Sequence, residues 1–353
     1  MKYLLFVVCF IYIFSACSNN QNDKWRTTVD EFPVTKQVSL ETVKVEAFLY
    51  YWGDMLATND YLVSVDIKND TFFQFFSLPD LSYLGSAVHR GLGPGEEMAV
   101  LPFLCDMGDG CFTYRSLDKI KKVSYNTQSG KLDLEKELVV PNKFDNILNM
   151  IVLDSMALGY DMLGKTKLEY VKYDFVRHHV EEFGPGYPKV DFLVEAEKRN
   201  VLFSKIMVAK PDNTLFASLY DKIPLLRIYN KEGKLVSETE LKNGQVSPSI
   251  YGRKHKKRVD TGELTVNYLK IEATNNYVYG LYSGKTQKEL AEQRSTNNYC
   301  KEIHVWDWDG NPVARFLLSE SVGDFAVSPD DSYVFLYSYE LSDHLYRFKL
   351  GKI

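Results

Sequence analysis

The sequence predicts an all-β fold, a six-bladed β-propeller whose ring is closed by an N-terminal strand completing the last blade. Three observations carry this. Six short hairpin patterns recur, each an apolar run, a tight polar turn and a second apolar or aromatic run, with turns marked by Asp60, Gly110, Ser155, Asn213, Asn276 and Asp331. They recur every ~54 residues on average, the self-similarity that a repeat architecture leaves, and the repeated unit is made of strands. Finally, the last blade runs out of chain before its outer strand, while an unpaired strand pattern, Val38 to Val45, waits near the N-terminus. Closing the ring with that strand removes an open sheet edge.

Taken in order, Val38 to Val45 alternates apolar and polar residues, the mark of a half-buried strand. The first blade holds the hairpin around Asp60, then Thr71 to Phe76 and Tyr83 to Val88. The second holds Cys111 to Arg115, Ile120 to Tyr125 and, after Asn126-Thr127-Gln128-Ser129-Gly130, Leu132 to Val139. The third runs from Ile147 to about Phe183. The fourth holds Ile206 to Ala209, Leu215 to Tyr220, Leu225 to Tyr229 and Leu235 to Leu241. The fifth runs from Tyr268 to Leu318 and the sixth from Asp324 to Lys349. Asn and Gly at the turns accept positive φ, which hairpins require. Asp191 to Asn200 and Lys285 to Arg294 break the strand rhythm with good helix formers and are expected as short rim helices.

The N-terminus carries an address. Met1-Lys2-Tyr3 precedes an apolar stretch, Leu4 to Phe14, of secretory length and too short to span a bilayer. Phe14-Ser15-Ala16-Cys17 resembles a bacterial lipoprotein signal, in which cleavage precedes a lipidated Cys. The expected organisation is therefore a signal peptide at 1–16, lipidated Cys17 and a polar tether at 17–35, and the propeller at 36–353. Several acyl chains on one residue anchor firmly. The formal charge is −5, or −6 once Lys2 is removed, which gives no nucleic-acid signature. Of the five Cys, Cys105, Cys111 and Cys300 remain in the mature domain. Buried free thiols are expected, with a Cys105–Cys111 cross-hairpin disulfide as the alternative. No Cys/His spacing indicates zinc, and no cofactor is expected.

Two stretches are candidates for binding. His89-Arg90-Gly91-Leu92-Gly93-Pro94-Gly95-Glu96-Glu97 lies between blades one and two, with Gly93 and Gly95 able to form an anion-binding nest flanked by Arg90, Glu96 and Glu97. The competing reading is a crossover whose glycines serve geometry alone, and Phe183-Gly184-Pro185-Gly186, expected at a second crossover, favours that. Arg253, Lys254, His255, Lys256, Lys257 and Arg258 form a basic run between blades four and five. In a propeller all outer-to-inner crossovers share one face, so these loops are expected around one channel mouth.

Arg90-Gly91-Leu92-Gly93-Pro94-Gly95-Glu96, in an all-β chain with a lipoprotein signal, resembles a Bacteroidales lipoprotein family with a TolB-like six-bladed propeller. The resemblance implies the fold and lipid anchoring. The expected function is that of a binding or protein-interaction scaffold, lipid-anchored at the outer membrane of the bacterial envelope and facing the periplasm or the surface, with an envelope protein or glycan as its partner.

 The resemblance carries no catalytic residue over to this chain. The membrane is met through the lipid anchor only. The alternative is a metal-dependent hydrolase or lactonase with its site in the channel, for which Asp54, Asp154 and Asp324, near the inner strands, are the available acids. No Ser nucleophile elbow accompanies them.

Overall fold

The computed structural model describes residues 26–50, 53–144, 146–190, 199–242, 250–251, 258–259, 264–293, 300–338 and 340–353. Six antiparallel sheets stand around a central channel. Blade one is Met55–Ala57, Tyr61–Val65, Thr71–Ser77 and Tyr83–His89, from the channel outward. Blade two is Leu101–Asp106, Cys111–Ser116, Lys119–Asn126 and Lys131–Val139. Blade three is Ile147–Leu153, Met156–Asp161, Leu168–Asp174 and His179–Gly186. Blade four is Lys205–Ala209, Leu215–Tyr220, Leu225–Asn230 and Leu235–Leu241. Blade five is Thr265–Ala273, Tyr277–Thr286, Cys300–Asp307 and Pro312–Val322. Blade six supplies Asp324–Val327, Tyr333–Tyr337 and His344–Lys349. Each of the six expected hairpin turns joins the first and second strands of a blade.

The N-terminal chain closes the ring and braces it. Glu41–Lys44 pairs antiparallel with His344–Lys349 as the missing fourth strand of blade six. Arg347 clasps Glu41 through two hydrogen bonds of 3.0 and 2.6 Å. Two further strands precede it. Val34–Val38 adds in parallel to the outside of blade five, and Arg26–Val29 to the outside of blade four. The segment expected to be a tether up to residue 35 therefore includes sheet. Its Val29 and Phe32 are buried against Trp306 and Trp308 of blade five, and that apolar burial is what draws it onto the ring.

Aromatic side chains fill the space between blades. Phe75 of blade one stacks on Tyr125 of blade two at 3.8 Å between centroids. Tyr170 of blade three meets Phe216 and Tyr229 of blade four edge-on at 5.5 and 5.2 Å. Such pairs contribute about 0.5–1.5 kcal/mol each beyond their buried area. At Gly280 the contact is closer still, since an added Cβ would lie 2.4 Å from Leu219 of the next blade.

Two expectations are corrected. The second Gly-Pro-Gly is not a crossover: it lies inside the outer strand of blade three, with Gly186 paired to Leu168. A register shift between Leu168 and Tyr170 accommodates Gly184, whose φ is +84° and whose bare Cα receives the Tyr170 ring. Cys105 and Cys111 are free thiols. Cys105 pairs across the ladder with Thr113, and the Cys111 thiol donates to Glu135 Oε1 at 2.8 Å, so the two do not face each other. Of the expected helices, Gln287–Gln293 forms, started by Thr286 and Glu289, which satisfy each other's backbone N–H groups. Arg199–Leu202 is helical, while 191–198 lie outside the described residues. Among the described residues no helix is long and apolar enough to cross a membrane.

Candidate functional site: the central channel and the two faces

The six inner strands enclose a cavity of about 150 Å³. Its walls come from every blade, including Leu56, Phe103, Met150, Ile206, Leu269 and Asp324. In its charged centre, Asp54 and Asp324 stand at the start of the inner strands of blades one and six. The ammonium of Lys270, from blade five, bonds to the Asp54 carboxylate and lies 2.7 Å from Glu272 and 3.6 Å from Asp324. It also donates to the Met55 carbonyl at 3.0 Å. Asp54 in turn accepts the Leu104 N–H of blade two at 2.7 Å. One lysine and one aspartate thus tie blades one, two and five together.

Burial alone would depress the Lys270 ammonium, but Asp324, Asp54 and Glu272 outweigh it and hold the group charged well above the usual lysine range. Burial pushes the Glu272 carboxyl up to about 8, against the opposing pull of Lys270. Asp54 and Asp324 were expected near the channel and do meet there. Asp154 does not: it occupies the turn between the first two strands of blade three, at φ +48°, beside Lys231 at 3.7 Å. Lys270 and Glu272 escaped the sequence reading. The available signal was Leu269-Lys270-Ile271-Glu272, two charges at alternate positions of an innermost strand, where both faces are buried. Among the described residues no group of three His, Cys, Asp or Glu side chains is placed to hold a metal ion.

The channel widens on the hairpin-turn face into a mouth of about 460 Å³. Asp106, Asp109, Asp212, Glu272 and Asp330 line it, together with Asn59 and Asn275. The opposite face carries the crossovers. There Arg90 is fixed, its guanidinium donating to the Ile67 carbonyl at 2.6 Å and lying 4.7 Å from the Phe72 ring. The Glu96 carboxylate accepts the Gly93 N–H at 2.8 Å, so the loop's own acid fills the nest that the glycines form. Gly95 is at φ +80° with open space around its Cα. Glu97 points inward and accepts from Tyr114 at 3.3 Å, Ser116 at 2.5 Å and Lys121 at 2.5 Å. His89 is exposed, and its carbonyl accepts the Glu97 N–H at 3.0 Å. Arg253, Lys254, His255, Lys256 and Lys257 lie outside the described residues; Arg258 begins the short strand Arg258–Val259.

The crossover face also carries side chains that no motif marked. Phe48 and Tyr50, 52 % and 54 % exposed, sit with ring centroids 4.6 Å apart. Leu92 is 87 % exposed, and Met98, Leu117, Met162 and Leu163 are exposed on the same face. Tyr50 and the first crossover share a support: Asp66 accepts the Tyr50 N–H at 2.6 Å, and the neighbouring Ile67 carbonyl holds Arg90.

Six four-stranded blades, a closed channel and an N-terminal closing strand define a six-bladed propeller. Residues 28–330 match the family model for TolB-like 6-blade propeller-like proteins, and the chain belongs to that family. No curated protein matches it. Among solved structures it is similar to a member of the DUF4221 family from Bacteroides vulgatus, at 12 % identity, with a TM-score of 0.59 and 90 % of this chain and 97 % of that one covered. It is also similar to a protein of Bacteroides fragilis described as exported, at 11 % identity and a TM-score of 0.53, covering 93 % and 99 %. At these identities the likeness concerns the fold.

Proposed function

We propose that the protein is a lipid-anchored propeller of the bacterial envelope that acts as an interaction scaffold through its crossover face. The observation that carries this is the set of exposed apolar side chains there, Phe48, Tyr50, Leu92, Met98, Leu117, Met162 and Leu163. Clustered exposed apolar groups rimmed by polar residues mark protein-binding surfaces. They favour a protein over a glycan as the partner. The envelope address rests on the N-terminal signal pattern, on Cys17 and on the exported relative from Bacteroides fragilis.

The hydrolase alternative draws no support from the channel centre, where the Lys270 ammonium already occupies the middle of the carboxylates.

The test is capture from envelope extract by the full mature chain, with Phe48→Asp and Leu92→Asp in one variant and Arg253 to Arg258 neutralised in another. The proposal expects one partner, retained by the parent and lost at least tenfold by the first variant. Equal retention by both variants and the parent would overturn the assignment of the face. Loss only on neutralising the basic run would shift the partner toward an anionic glycan.

A further inference from the structure

We propose that the central channel is a binding site for a small organic cation, a primary amine with a short apolar body. Four features of the cavity carry this, and none depends on the crossover face. Its size is about 150 Å³, the volume of a cavity that holds a six-membered ring. Its walls are largely apolar, with Leu56, Phe103, Met150, Ile206 and Leu269 contributed by five different blades. Its polar centre gathers three buried carboxyl groups, Asp54, Glu272 and Asp324, round the ammonium of Lys270. Its mouth adds Asp106, Asp109, Asp212 and Asp330, of which Asp212 is paired with Lys210 at 2.9 Å, and among the described residues no Lys, Arg or His lines it.

Acids outnumber the one ammonium along this path from mouth to centre, which draws cations inward and repels anions. Glu272 lines both the cavity and the mouth and is the carboxyl group that an entering ammonium meets. The remainder of such a ligand is covered by the apolar walls, which offer a hydrated metal ion nothing. A metal would also have to displace Lys270, since its carboxylate oxygens must converge to about 2.0–2.6 Å.

Protons enter the balance. Glu272 faces Lys270 on its own strand, Asp54 of blade one, Asp324 of blade six, and Cys105 and Asp106 of blade two. Burial pushes its carboxyl up to about 8, which favours the protonated form at neutral pH. An ammonium arriving beside it favours the carboxylate. The neutral acid and the incoming R–NH₃⁺ therefore give a carboxylate–ammonium pair and one proton released to solvent. Binding tightens as pH rises through neutrality, until the amine itself begins to lose its proton.

The experiment is calorimetric titration of the mature chain with benzylammonium, and in parallel with benzyl alcohol, benzoate and calcium chloride. The expected result is saturable binding of benzylammonium, at least tenfold tighter than benzyl alcohol, none of benzoate, and an affinity that rises from pH 6.5 to 8. Repeating it in two buffers of different ionisation enthalpy is expected to show proton release. Glu272→Gln is near-isosteric and is expected to weaken binding at least tenfold and abolish that release, with Tm as the check on folding. Ala273→Leu, at a residue that lines both mouth and cavity, gives a second variant expected to weaken binding at least fivefold. Equal affinity for benzyl alcohol, binding unchanged in both variants, tight binding of calcium alone, or no benzylammonium binding at millimolar concentration would each overturn the proposal.

Discussion

Glu96 and Glu97 are neighbours of the same type, and the fold gives them different work. Glu96 curls back on its own loop to accept the Gly93 N–H, at the surface. Glu97 turns inward and satisfies Tyr114, Ser116 and Lys121 of blade two. Removing a largely buried acceptor leaves its donors unpaired, at about 1–3 kcal/mol for a group of this kind. Glu97→Ala is therefore expected to cost about 2–3 kcal/mol in urea unfolding, and Glu96→Ala less than about 1 kcal/mol. Equal costs would contradict this division of roles. The motif was visible as unusual in the sequence, but not this split, because alternation along a loop sets no inside or outside. The Lys270 centre was hidden for a related reason. Its partners Asp54 and Asp324 are 216 and 54 positions away, brought together only by ring closure.

Among the elements, the strands were legible because their apolar patterns and their Asn, Asp and Gly turns are local signals. The six hairpins and the closing role of the N-terminal chain could be read from these alone. The parallel outer strands Arg26–Val29 and Val34–Val38 could not, since a parallel edge strand reached through a long connection leaves no hairpin turn behind. The two kinds of N-terminal strand differ in what they protect. Blade four has four strands without Arg26–Val29, whereas blade six has three without Glu41–Lys44. A chain starting at Glu31 is expected to remain monomeric and to unfold cooperatively, with Tm lower by a few degrees. A chain starting at Glu46 loses ring closure and leaves His344–Lys349 as an open edge. It is expected to aggregate or to lose its cooperative transition. Size-exclusion chromatography with thermal unfolding checks both, and a monomeric, cooperative Glu46 chain would refute the closing role.

At the scale of the whole molecule, the propeller has two unlike ends. The turn face opens into an acid-lined mouth, and the crossover face carries exposed apolar groups. The single direction of the inner strands places every crossover at one end, which is why that face was foreseeable from topology. Its apolar character was not, because exposed and buried Phe, Tyr and Leu look alike in a sequence. The measurement that tests the account most directly is photo-crosslinking in the native envelope from single positions on each face. Leu92 and Phe48 represent the crossover face, and Asn59 and Asp109 the turn face. The account predicts one discrete adduct from Leu92 and Phe48 and none from Asn59 or Asp109. Adducts confined to the turn face, or the same adducts from all four positions, would contradict it.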